Sequence, residues 1–489
     1  MSRAPCLDGH MTAGLGSRTH RSAMVHSPSA RHMVLWLYER VTRRGLWSGC
    51  LELNELQWLS ARELENRAFR KLSPLLNHAV SHVPYYRDLF RSARLSPDQI
   101  RSLADLALIP VTTKADLRRH FPRGTTADNL PASRWLKGKT SGSTGLPFEF
   151  FRDREAEGPT LASYLFFRQW AGVPIGFTMV YVGNAQFGRT IARSSRVMQT
   201  ARRIFLGERI VNLSGVDIAP GVFVAQLEKL PRNRQYFLLG FPSYLSSLAK
   251  QILESKIRLP AYPETVISIS ETLTPLRSKI IENAFQCRIA NHYSCWETPH
   301  VAQTCPDHGG SLHINSDRFL LRVVREDGMS ARAGEEGRVL ITDLTNYVMP
   351  FINYDTGDRA IRGSPCPCGR GFPTLLSLEG RDPEVVRTRS GRLVSAGSLG
   401  RILLPYCLSR AAIWEYQAVQ KTIDSVRLLV VPRASTSQDF VVDLERELEE
   451  FFGSDLKVVV EIVDRISAEP SGKRLIIKSY LCSDREGAS

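Results

Sequence analysis

One short stretch decides which fold to expect: Lys139-Thr140-Ser141-Gly142-Ser143-Thr144-Gly145-Leu146-Pro147-Phe148. Its central six residues hold four hydroxyl side chains and two glycines, and an apolar extended run follows. Glycines let a backbone approach a polyphosphate closely, and hydroxyls offer it hydrogen-bond donors. The stretch is not a Walker loop, because the Lys-Ser or Lys-Thr pair that closes such a loop is missing. Alone, it predicts either a phosphate-binding loop or an ordinary polar surface loop.

The composition indicates a globular protein with two or more domains. The chain has 489 residues, of which 43% are hydrophobic and 23% charged, as is typical of soluble proteins. Its formal net charge of +15 would suit a nucleic acid, but no Lys/Arg tract interleaved with aromatic residues occurs. We therefore expect small polyanionic ligands instead of a nucleic acid.

Residues 1–33 are rich in Ser, Arg, His and Gly and have no apolar core, so they predict a disordered basic tail without function and not a secretory signal. Alternatively, translation starts at Met24 or Met33. No run of about 18 apolar residues occurs, and we expect no transmembrane segment. Nine irregularly spaced cysteines argue against a disulfide framework, which makes the cytoplasm the expected compartment.

The middle of the chain alternates strand-like and helical patterns. After a helical pattern from Val34 to Leu76 and a break at Pro84, strand-like runs alternate with helical segments, which predicts an α/β core with largely parallel strands. The strand-like runs are Thr178–Val182, Gln235–Leu239 and Thr265–Ile269, and the helical segments are Ser243–Glu254 and Pro275–Phe285.

The pattern changes after Gly380-Arg381, where we expect a small α+β domain. Its predicted strands are Tyr416–Gln420, Val426–Val431 and Lys457–Ile462, and one helix face would carry Phe440, Leu444, Leu448 and Phe451. The predicted domains are therefore residues 34–380 and residues 381–489.

Four further segments turn the opening stretch into a pattern. They are Ser270-Glu271-Thr272-Leu273, Tyr293-Ser294-Cys295-Trp296-Glu297, Tyr354-Asp355-Thr356-Gly357-Asp358, and Gly380-Arg381 with the late Pro470-Ser471-Gly472-Lys473. In this order they resemble the adenylate-forming superfamily of acyl- and aryl-CoA ligases, above all the branch of phenylacetate–coenzyme A ligases and CapK-type capsular polysaccharide proteins. Leu76–Arg87 and Leu108–Lys114 are also typical of that branch. The resemblance extends from Leu51 to Ser479.

The resemblance implies a large N-terminal adenylate-forming domain with mixed and parallel sheets, followed by a small, mobile α+β domain. It implies that ATP and Mg²⁺ activate a carboxylic acid as its adenylate and that the acyl group passes to coenzyme A. Two alternatives stay open. One is an adenylate-forming transferase with another acceptor, as in capsular or surface polysaccharide biosynthesis, and the other is a binding or assembly protein that kept the fold without the chemistry.

The resemblance also implies the residues of the nucleotide site. The β- and γ-phosphates would be held by Thr140, Ser141, Gly142, Ser143, Thr144 and Gly145. The backbone of Ser270, Glu271 and Thr272 would border the adenine, and Tyr293 would lie against it, unless Tyr293 is only a core aromatic residue. Glu297 would bind Mg²⁺, which takes one or two carboxylates plus phosphate oxygens. Leu146 stands where many relatives carry a lysine, so that charge must come from elsewhere or is not needed.

Three further residues complete the implied site. Asp358 would accept the ribose hydroxyls, or else is an ordinary turn aspartate. Arg381 would contact the nucleotide where the chain enters the small domain. Lys473 would bridge the substrate carboxylate and the α-phosphate, or else is a solvated surface lysine. Relatives often carry Gly-Arg-x-Asp-Asp at this junction, and Pro383 in this chain is expected to restrict domain rotation and with it the thioester-forming step.

A second group of residues has the composition of a structural zinc site. Cys366 and Cys368 lie in a Pro/Gly-rich knuckle, and Cys305 with one histidine would bring the number of ligands to four. His313 is the preferred fourth ligand, and His308 is the alternative. The same residues could equally be reduced cysteines without a metal.

The sequence does not identify the acid. Residues near Tyr236–Tyr244 and Ala290–Trp296 are expected to line its pocket, and Phe241, Tyr244 and Trp296 favour an aryl or other apolar acid, although such side chains also fill cores. The oligomeric state is not predicted.

Overall fold

The computed structural model describes residues 30–42, 44–140, 148–192, 209–215, 218–231, 235–382, 384–408, 413–433, 438–469 and 473–481. In these ranges the α-helices are α1 (Ala30–Thr42), α2 (Leu46–Leu56), α3 (Ala61–His82), α4 (Pro84–Ser92), α5 (Lys114–His120), α6 (Glu157–Trp170), α7 (Ala185–Ala192), α8 (Pro220–Glu228), α9 (Pro242–Glu254), α10 (Pro275–Phe285), α11 (Ala396–Leu408) and α12 (Gln438–Phe452). Among these described residues, no helix is both long enough and apolar enough to cross a bilayer.

The strands of the same ranges are β1 (Trp135–Lys139), β2 (Glu149–Asp153), β3 (Thr178–Gly183), β4 (Arg209–Ser214), β5 (Tyr236–Gly240), β6 (Thr265–Ser268), β7 (Arg288–Tyr293), β8 (Ala302–Thr304), β9 (Leu312–Ile314), β10 (Phe319–Val324), β11 (Glu336–Asp343), β12 (Tyr354–Arg362), β13 (Thr374–Arg381), β14 (Val385–Arg387), β15 (Leu393–Ser395), β16 (Ile413–Thr422), β17 (Ser425–Pro432), β18 (Lys457–Ile462) and β19 (Ile477–Ser479).

A mixed sheet of eleven strands forms the large part of the protein, in the order β10-β11-β12-β13-β9-β8-β7-β6-β5-β3-β4. In this order, the pairs between neighbouring strands from β7 to β4 (β7-β6-β5-β3-β4) are parallel. The pairs from β10 to β7 (β10-β11-β12-β13-β9-β8-β7) are antiparallel. The three strands predicted for the middle of the chain are β3, β5 and β6, and the two predicted helices are α9 and α10. The predicted α/β class is confirmed.

The N-terminal helical pattern is divided where one continuous stretch was predicted. Gly45, the residue just before α2, has a φ of 60°, in the left-handed region that glycine tolerates best. Ser60 begins α3 with a capping box to Glu63, and Pro84 begins α4. Because α1 begins at Ala30, it enters the range predicted as a tail. Residues 1–29 lie outside the described residues, so the tail stays a prediction.

The predicted phosphate loop connects two paired strands. β1 and β2 form an antiparallel hairpin in which Lys139 faces Glu149. At the other end of the hairpin, Arg134 Nε donates to Asp153 Oδ1 at 3.1 Å, and the side chain of Asp153 is fully buried. The hairpin therefore fixes both ends of the loop.

The C-terminal part is a four-stranded sheet in the order β18-β17-β16-β19, covered by α12. The buried face of α12 repeats every four residues, through Phe440, Leu444, Leu448 and Phe452. Phe451, which was predicted on this face, is half-buried and packs against the same core, and Phe452 is buried beside it. The boundary at Arg381 between two domains stays a prediction.

Candidate functional site

The predicted motifs meet at one edge of the large sheet. β6 and β7 run parallel. Ser270 lies just beyond the carboxyl end of β6, and Tyr293 lies at the carboxyl end of β7. In the antiparallel pair of β12 and β13, Asp358 stands opposite Arg381. Open α/β sheets bind ligands in the crevice at the carboxyl ends of their strands. The sheet therefore brings residues that are distant in sequence to the usual position of a ligand site.

The base of the predicted phosphate loop is closed by two hydrogen bonds. The backbone N–H of Thr140 donates to the carbonyl of Phe148 at 2.9 Å, and the N–H of Phe148 donates to Thr140 Oγ1 at 3.0 Å. The predicted phosphate ligands Ser141, Gly142, Ser143, Thr144 and Gly145 lie outside the described residues. Among the predicted loop ligands, only Thr140 is therefore placed, and its hydroxyl holds the ends of the loop together.

Asp358 links two other predicted residues. The hydroxyl of Tyr293 donates to Asp358 Oδ2 at 2.7 Å, and Arg381 Nε donates to Oδ1 at 3.2 Å. Burial, reinforced by the carboxylate of Asp358, raises the pKa of Tyr293 well above its ordinary value, so the phenol stays protonated. The carboxylate keeps further lone pairs for another donor, such as a sugar hydroxyl. Tyr293 is itself buried, so its ring also serves the core.

Cys295 also lies beside Asp358, although no role was predicted for it. Its Sγ is 3.6 Å from Oδ2 of Asp358. Burial, followed by the charge of Asp358, raises the pKa of the thiol well above its ordinary value, so the group stays neutral. The wall beside Asp358 is therefore a thiol and not a thiolate.

The segment after β6 is held by its own acidic residue. Ser270 has a φ of 69°, a left-handed conformation that turns the chain sharply. The carboxylate of Glu271 accepts hydrogen bonds from the N–H and the hydroxyl of Ser243, both at 3.0 Å. A Cβ on Gly380 would lie 3.6 Å from Thr272 Oγ1, which places this segment against the chain that leads to Arg381.

Arg277 ties the C-terminal segment to this site. Its Nη2 donates to the carbonyl of Arg474 at 3.0 Å, and its Nη1 lies 3.7 Å from Oε2 of Glu271. Arg277 is buried near the start of α10, where Thr274 caps the helix. Arg474, the residue next to Lys473, is thus anchored to α10.

The ammonium of Lys473 is surrounded by charged groups of the site. Burial lowers its pKa and Arg381 lowers it further, whereas the carboxylates of Glu271, Glu384 and Asp358 act in the opposite direction. Lys473 therefore lies within electrostatic range of Asp358 and Arg381.

Lys114 is a residue that the sequence analysis missed. Its Nζ lies 3.4 Å from Oε1 of the buried Glu297 and 5.8 Å from the ring centre of Phe148. The same Oε1 accepts a hydrogen bond of 2.8 Å from the hydroxyl of Tyr354. A cation and a carboxylate thus lie side by side, next to the residue that ends the predicted phosphate loop.

Backbone pairing fixes the position of Lys114. The N–H of Thr112 donates to the carbonyl of Asn353, and the N–H of Asp355 donates to the carbonyl of Thr112, at 3.2 and 2.9 Å. Thr113 then caps α5, which begins at Lys114. The capping pattern in the sequence could have located this helix start, but the contact with Glu297 depends on the tertiary fold.

Aromatic side chains cluster beside these residues. The ring centres of Phe187 and Phe241 are 5.8 Å apart, those of Phe187 and Trp296 are 5.6 Å apart, and Tyr244 lies 6.0 Å from Phe241. Phe187 was not among the residues expected from the sequence, because it lies far before the segments named for the pocket. Phe241 and Tyr244 are buried, and Trp296 is exposed.

The junction after Arg381 is bonded back to the large sheet. The N–H of Asp382 donates to the carbonyl of Gly357 at 2.9 Å, and Arg359 Nη1 donates to Asp382 Oδ1 at 3.0 Å. Pro383, for which restricted rotation was predicted, lies outside the described residues.

The predicted zinc ligands are brought together. The ligand atoms of Cys305, His313, Cys366 and Cys368 all lie within 4.8 Å of one another. Sγ of Cys366 is 3.7 Å from Sγ of Cys305, and Sγ of Cys368 is 3.5 Å from Nε2 of His313. Tetrahedral bonds of about 2.3 Å would place two thiolate sulfurs about 3.8 Å apart. His308 is exposed and is not part of this group, so His313 is the histidine that the fold selects.

Neighbouring residues orient this group. Nδ1 of His313 lies 3.2 Å from the carbonyl of Phe372, which directs Nε2 toward the cysteines. Arg370 donates its backbone N–H to Sγ of Cys368 at 3.4 Å. The guanidinium of Arg370 lies 4.6 Å from the ring centre of Trp58 and 5.0 Å from that of Trp170.

The buried His292, on β7, pairs with the half-buried His300. Nε2 of His292 is 2.9 Å from Nδ1 of His300, and Nδ1 of His292 is 3.0 Å from Oε1 of Gln303. Burial lowers the pKa of His292 to about 4 and the pKa of His300 well below its ordinary value. Both rings are therefore neutral near pH 7.

This chain is similar to known proteins in both sequence and fold. Residues 386–480 match the family described as the CapK C-terminal domain. The chain is 23% identical to the protein CapK of Staphylococcus aureus over 84% of its own length and 88% of the relative. It is 25% identical to a phenylacetate-coenzyme A ligase of Thermus thermophilus, over 68% of its own length and 74% of the relative.

Among solved structures, 2-hydroxyisobutyryl-CoA ligase in the postadenylation state, in complex with R3-HIB-AMP, has a TM-score of 0.70 with this chain at 20% identity. The match covers 86% of this chain and 91% of that one. The thioesterification state of the same ligase gives a TM-score of 0.55. These similarities support the resemblance to the adenylate-forming superfamily, in the branch that contains CapK and the phenylacetate–CoA ligases.

Proposed function

We propose that this protein activates a carboxylic acid with ATP and transfers the acyl group to coenzyme A. In the first step, a carboxylate oxygen attacks the α-phosphorus of ATP, pyrophosphate leaves, and an acyl-adenylate forms. In the second, the thiol sulfur of coenzyme A attacks the acyl carbonyl, loses its proton, and AMP leaves. The observation that carries the proposal is the electrostatic proximity of Lys473, from the C-terminal segment, to the bonded pair of Asp358 and Arg381.

The proposed roles follow from the positions of these charges. Asp358 would accept the ribose hydroxyls through the lone pairs that Tyr293 and Arg381 leave free. Lys473 would bring its positive charge to the α-phosphate and the substrate carboxylate, where negative charge accumulates in the transition state. The backbone of residues 270–272 would border the adenine.

At the phosphate end, Lys114 would supply the charge that Leu146 lacks. Its Nζ lies beside Glu297, near the end of the predicted phosphate loop. A buried carboxylate next to a polyphosphate site fits a hard cation such as Mg²⁺, which needs one or two carboxylates and completes its shell with phosphate oxygens and water. Glu297 would hold this ion, and the ion would neutralise the phosphate charge during displacement of pyrophosphate.

The aromatic cluster supports an apolar acid, and an aryl acid fits it best. Phe187, Phe241 and Trp296 offer ring faces and edges against which a planar ring can pack. Trp296 directly precedes Glu297 in the sequence, so a ring packed in this cluster would lie near the proposed site of the reacting carboxylate. The named relatives include phenylacetate–CoA ligases, in agreement with an apolar acid.

The acceptor distinguishes this proposal from its nearest alternative. CapK is similar over most of the chain, and an adenylate-forming transferase with an amine, hydroxyl or other thiol as acceptor would use the same first step. The retained Glu297, Asp358 and Lys473 argue against a protein that has lost the chemistry altogether.

ATP–pyrophosphate exchange with a panel of aryl, fatty and amino acids tests the proposal. We expect exchange with at least one apolar acid, and a loss of about 10³-fold or more in Lys473→Ala, since the charge acts in the transition state. Lys478→Ala, which removes a lysine on β19 that pairs with Glu469, should keep full activity. Exchange without consumption of coenzyme A would favour the other acceptor, and a folded protein without any exchange would overturn the enzyme proposal.

We also propose that Cys305, His313, Cys366 and Cys368 hold a structural Zn²⁺ ion. Their number and separation fit a closed tetrahedral site, and the carbonyl of Phe372 orients the histidine as is usual for zinc ligands. Elemental analysis of protein purified without chelators should give one zinc per chain, and Cys366→Ser should lower this value. Cys287→Ser, which removes a thiol outside the group, should leave it unchanged. Protein that is folded, stable and free of zinc would contradict this site.

A further inference from the structure

Helix α1 exposes an apolar face to solvent. The exposed fractions are 62% for Met33, 48% for Trp36, 56% for Leu37 and 76% for Val41. With about 100° of rotation per residue, these four side chains share an arc of roughly 140°. We call this arc the α1 face. Leu35 points to the opposite side, is 4% exposed and packs in a buried cluster with α2 and α6. The inward side of α1 thus fixes the helix, and the α1 face makes no contribution to the core.

The sequence that contains the α1 face is basic. Residues 1–44 contain seven arginines, no lysine and two acidic residues, which gives a net charge of +5. One acidic residue is Asp8, and the other, Glu39, accepts hydrogen bonds from the N–H groups of Trp47 and Ser48 at 2.6 and 2.8 Å. Arg40 lies in the same arc, with its guanidinium 5.0 Å from the ring centre of Trp36. A partner for this surface should therefore be apolar and negatively charged.

The dimensions of α1 exclude a membrane span but fit a membrane surface. Its 13 residues are about 20 Å long, whereas the hydrocarbon core of a bilayer is about 30 Å thick. Interfacial helices insert apolar side chains between lipid head groups, keep arginines at the level of the phosphates, and often carry tryptophan at the boundary. Met33, Trp36, Leu37, Arg40 and Val41 provide this combination on one side of one helix.

A second copy of the chain fits the α1 face less well. In a two-fold dimer the same patch would meet itself, which would bring two Arg40 side chains and two +5 segments together. An anionic lipid surface has the complementary charge and no fixed shape to match. We propose that α1 binds the surface of an anionic membrane as an interfacial helix, with the α1 face turned toward the acyl chains.

Sedimentation of the full chain with lipid vesicles tests this proposal, which is independent of the ligase function. We expect binding to phosphatidylcholine vesicles that contain roughly 30% phosphatidylglycerol, weaker binding to phosphatidylcholine alone, and a decrease at about 0.5 M NaCl. The double substitution Trp36→Ser with Leu37→Ser should reduce binding to anionic vesicles by about tenfold or more.

A matched control separates the α1 face from apolar exposure in general. Met329 and Val442 are 62% and 53% exposed elsewhere, so Met329→Ser with Val442→Ser should bind vesicles like the unmodified chain. The thermal unfolding of both variants should match that of the unmodified chain. Equal binding by the unmodified chain and the α1 variant would overturn the proposal. So would absence of binding to anionic vesicles together with a dimer that the α1 substitutions dissociate, since the α1 face would then cover a second copy.

Discussion

The hydroxyl of Tyr293 donates a hydrogen bond of 2.7 Å to Oδ2 of Asp358, which joins the end of β7 to the middle of β12. This bond crosses the sheet at the point where the ribose of a nucleotide is proposed to lie. Because Arg381 holds the other carboxylate oxygen, Asp358 is oriented before any ligand arrives. A preoriented acceptor loses little conformational freedom on binding.

Tyr293→Phe should weaken this arrangement without abolishing it. The buried Asp358 would lose one donor, and we expect the free energy of unfolding to fall by about 1–2 kcal/mol and the KM for ATP to rise about threefold to tenfold. Urea unfolding and ATP–pyrophosphate exchange measure the two effects. Tyr262→Phe, in a partly exposed tyrosine far from the crevice, should change neither quantity. An unchanged KM for ATP would remove Tyr293 from the nucleotide site.

Lys114→Ala should impair use of ATP more than stability. Removing the ammonium leaves Glu297 without its nearby cation and takes one positive charge from the proposed phosphate end, so we expect the KM for ATP to rise about tenfold. Arg119→Ala, on the exposed side of the same helix, is the control. Equal ATP saturation curves for Lys114→Ala and the unmodified chain would contradict the proposed role.

Arg277→Lys tests how Lys473, the proposed catalytic lysine, is positioned. The substitution keeps a positive charge near Glu271. It removes the forked guanidinium, whose second nitrogen donates to the carbonyl of Arg474. We expect kcat of adenylation to fall about tenfold with a smaller change in the KM for ATP, because Lys473 would be held less firmly. If stability falls while kcat is unchanged, Arg277 is only a structural residue.

The pair of His292 and His300 predicts a pH dependence of stability. Burial lowers the pKa of His292 from 6.5 to about 4, so between these values the unfolded chain binds more protons than the folded one. Stability should therefore decrease as the pH falls, by about 2 kcal/mol for His292 between pH 7.5 and pH 5. His300 acts in the same direction. Urea unfolding at several pH values should show a smaller slope in His292→Asn, and an identical slope would contradict this explanation.

The order of the motifs was predicted from the sequence. Some of the residues that contact these motifs in the fold were not. Strand and helix periodicities located β3, β5, β6, α9 and α10, because burial on a sheet or on one helix side leaves a regular pattern. Lys114 escaped prediction, since the residue that it contacts, Glu297, lies more than a hundred positions further along the chain. The same limit applied to Phe187, whose neighbours come from separate strand ends.

The choice between two histidines shows why local spacing was not sufficient. His308 is closer in sequence to Cys305, but it lies on an exposed turn. His313 lies on β9, which pairs with β13, and that pairing places it against the knuckle formed by residues 366–370. Sheet register decided the outcome, and register is a property of the whole fold.

The contacts of Arg370 make the intrinsic tryptophan fluorescence of the protein a probe of the cysteine knuckle. This residue donates its backbone N–H to Cys368 and places its guanidinium over the rings of both Trp58 and Trp170. Any opening of the cysteine knuckle must move the charge that lies against these two indoles. The emission of the protein's own tryptophans therefore reports whether the knuckle is closed, without an added label.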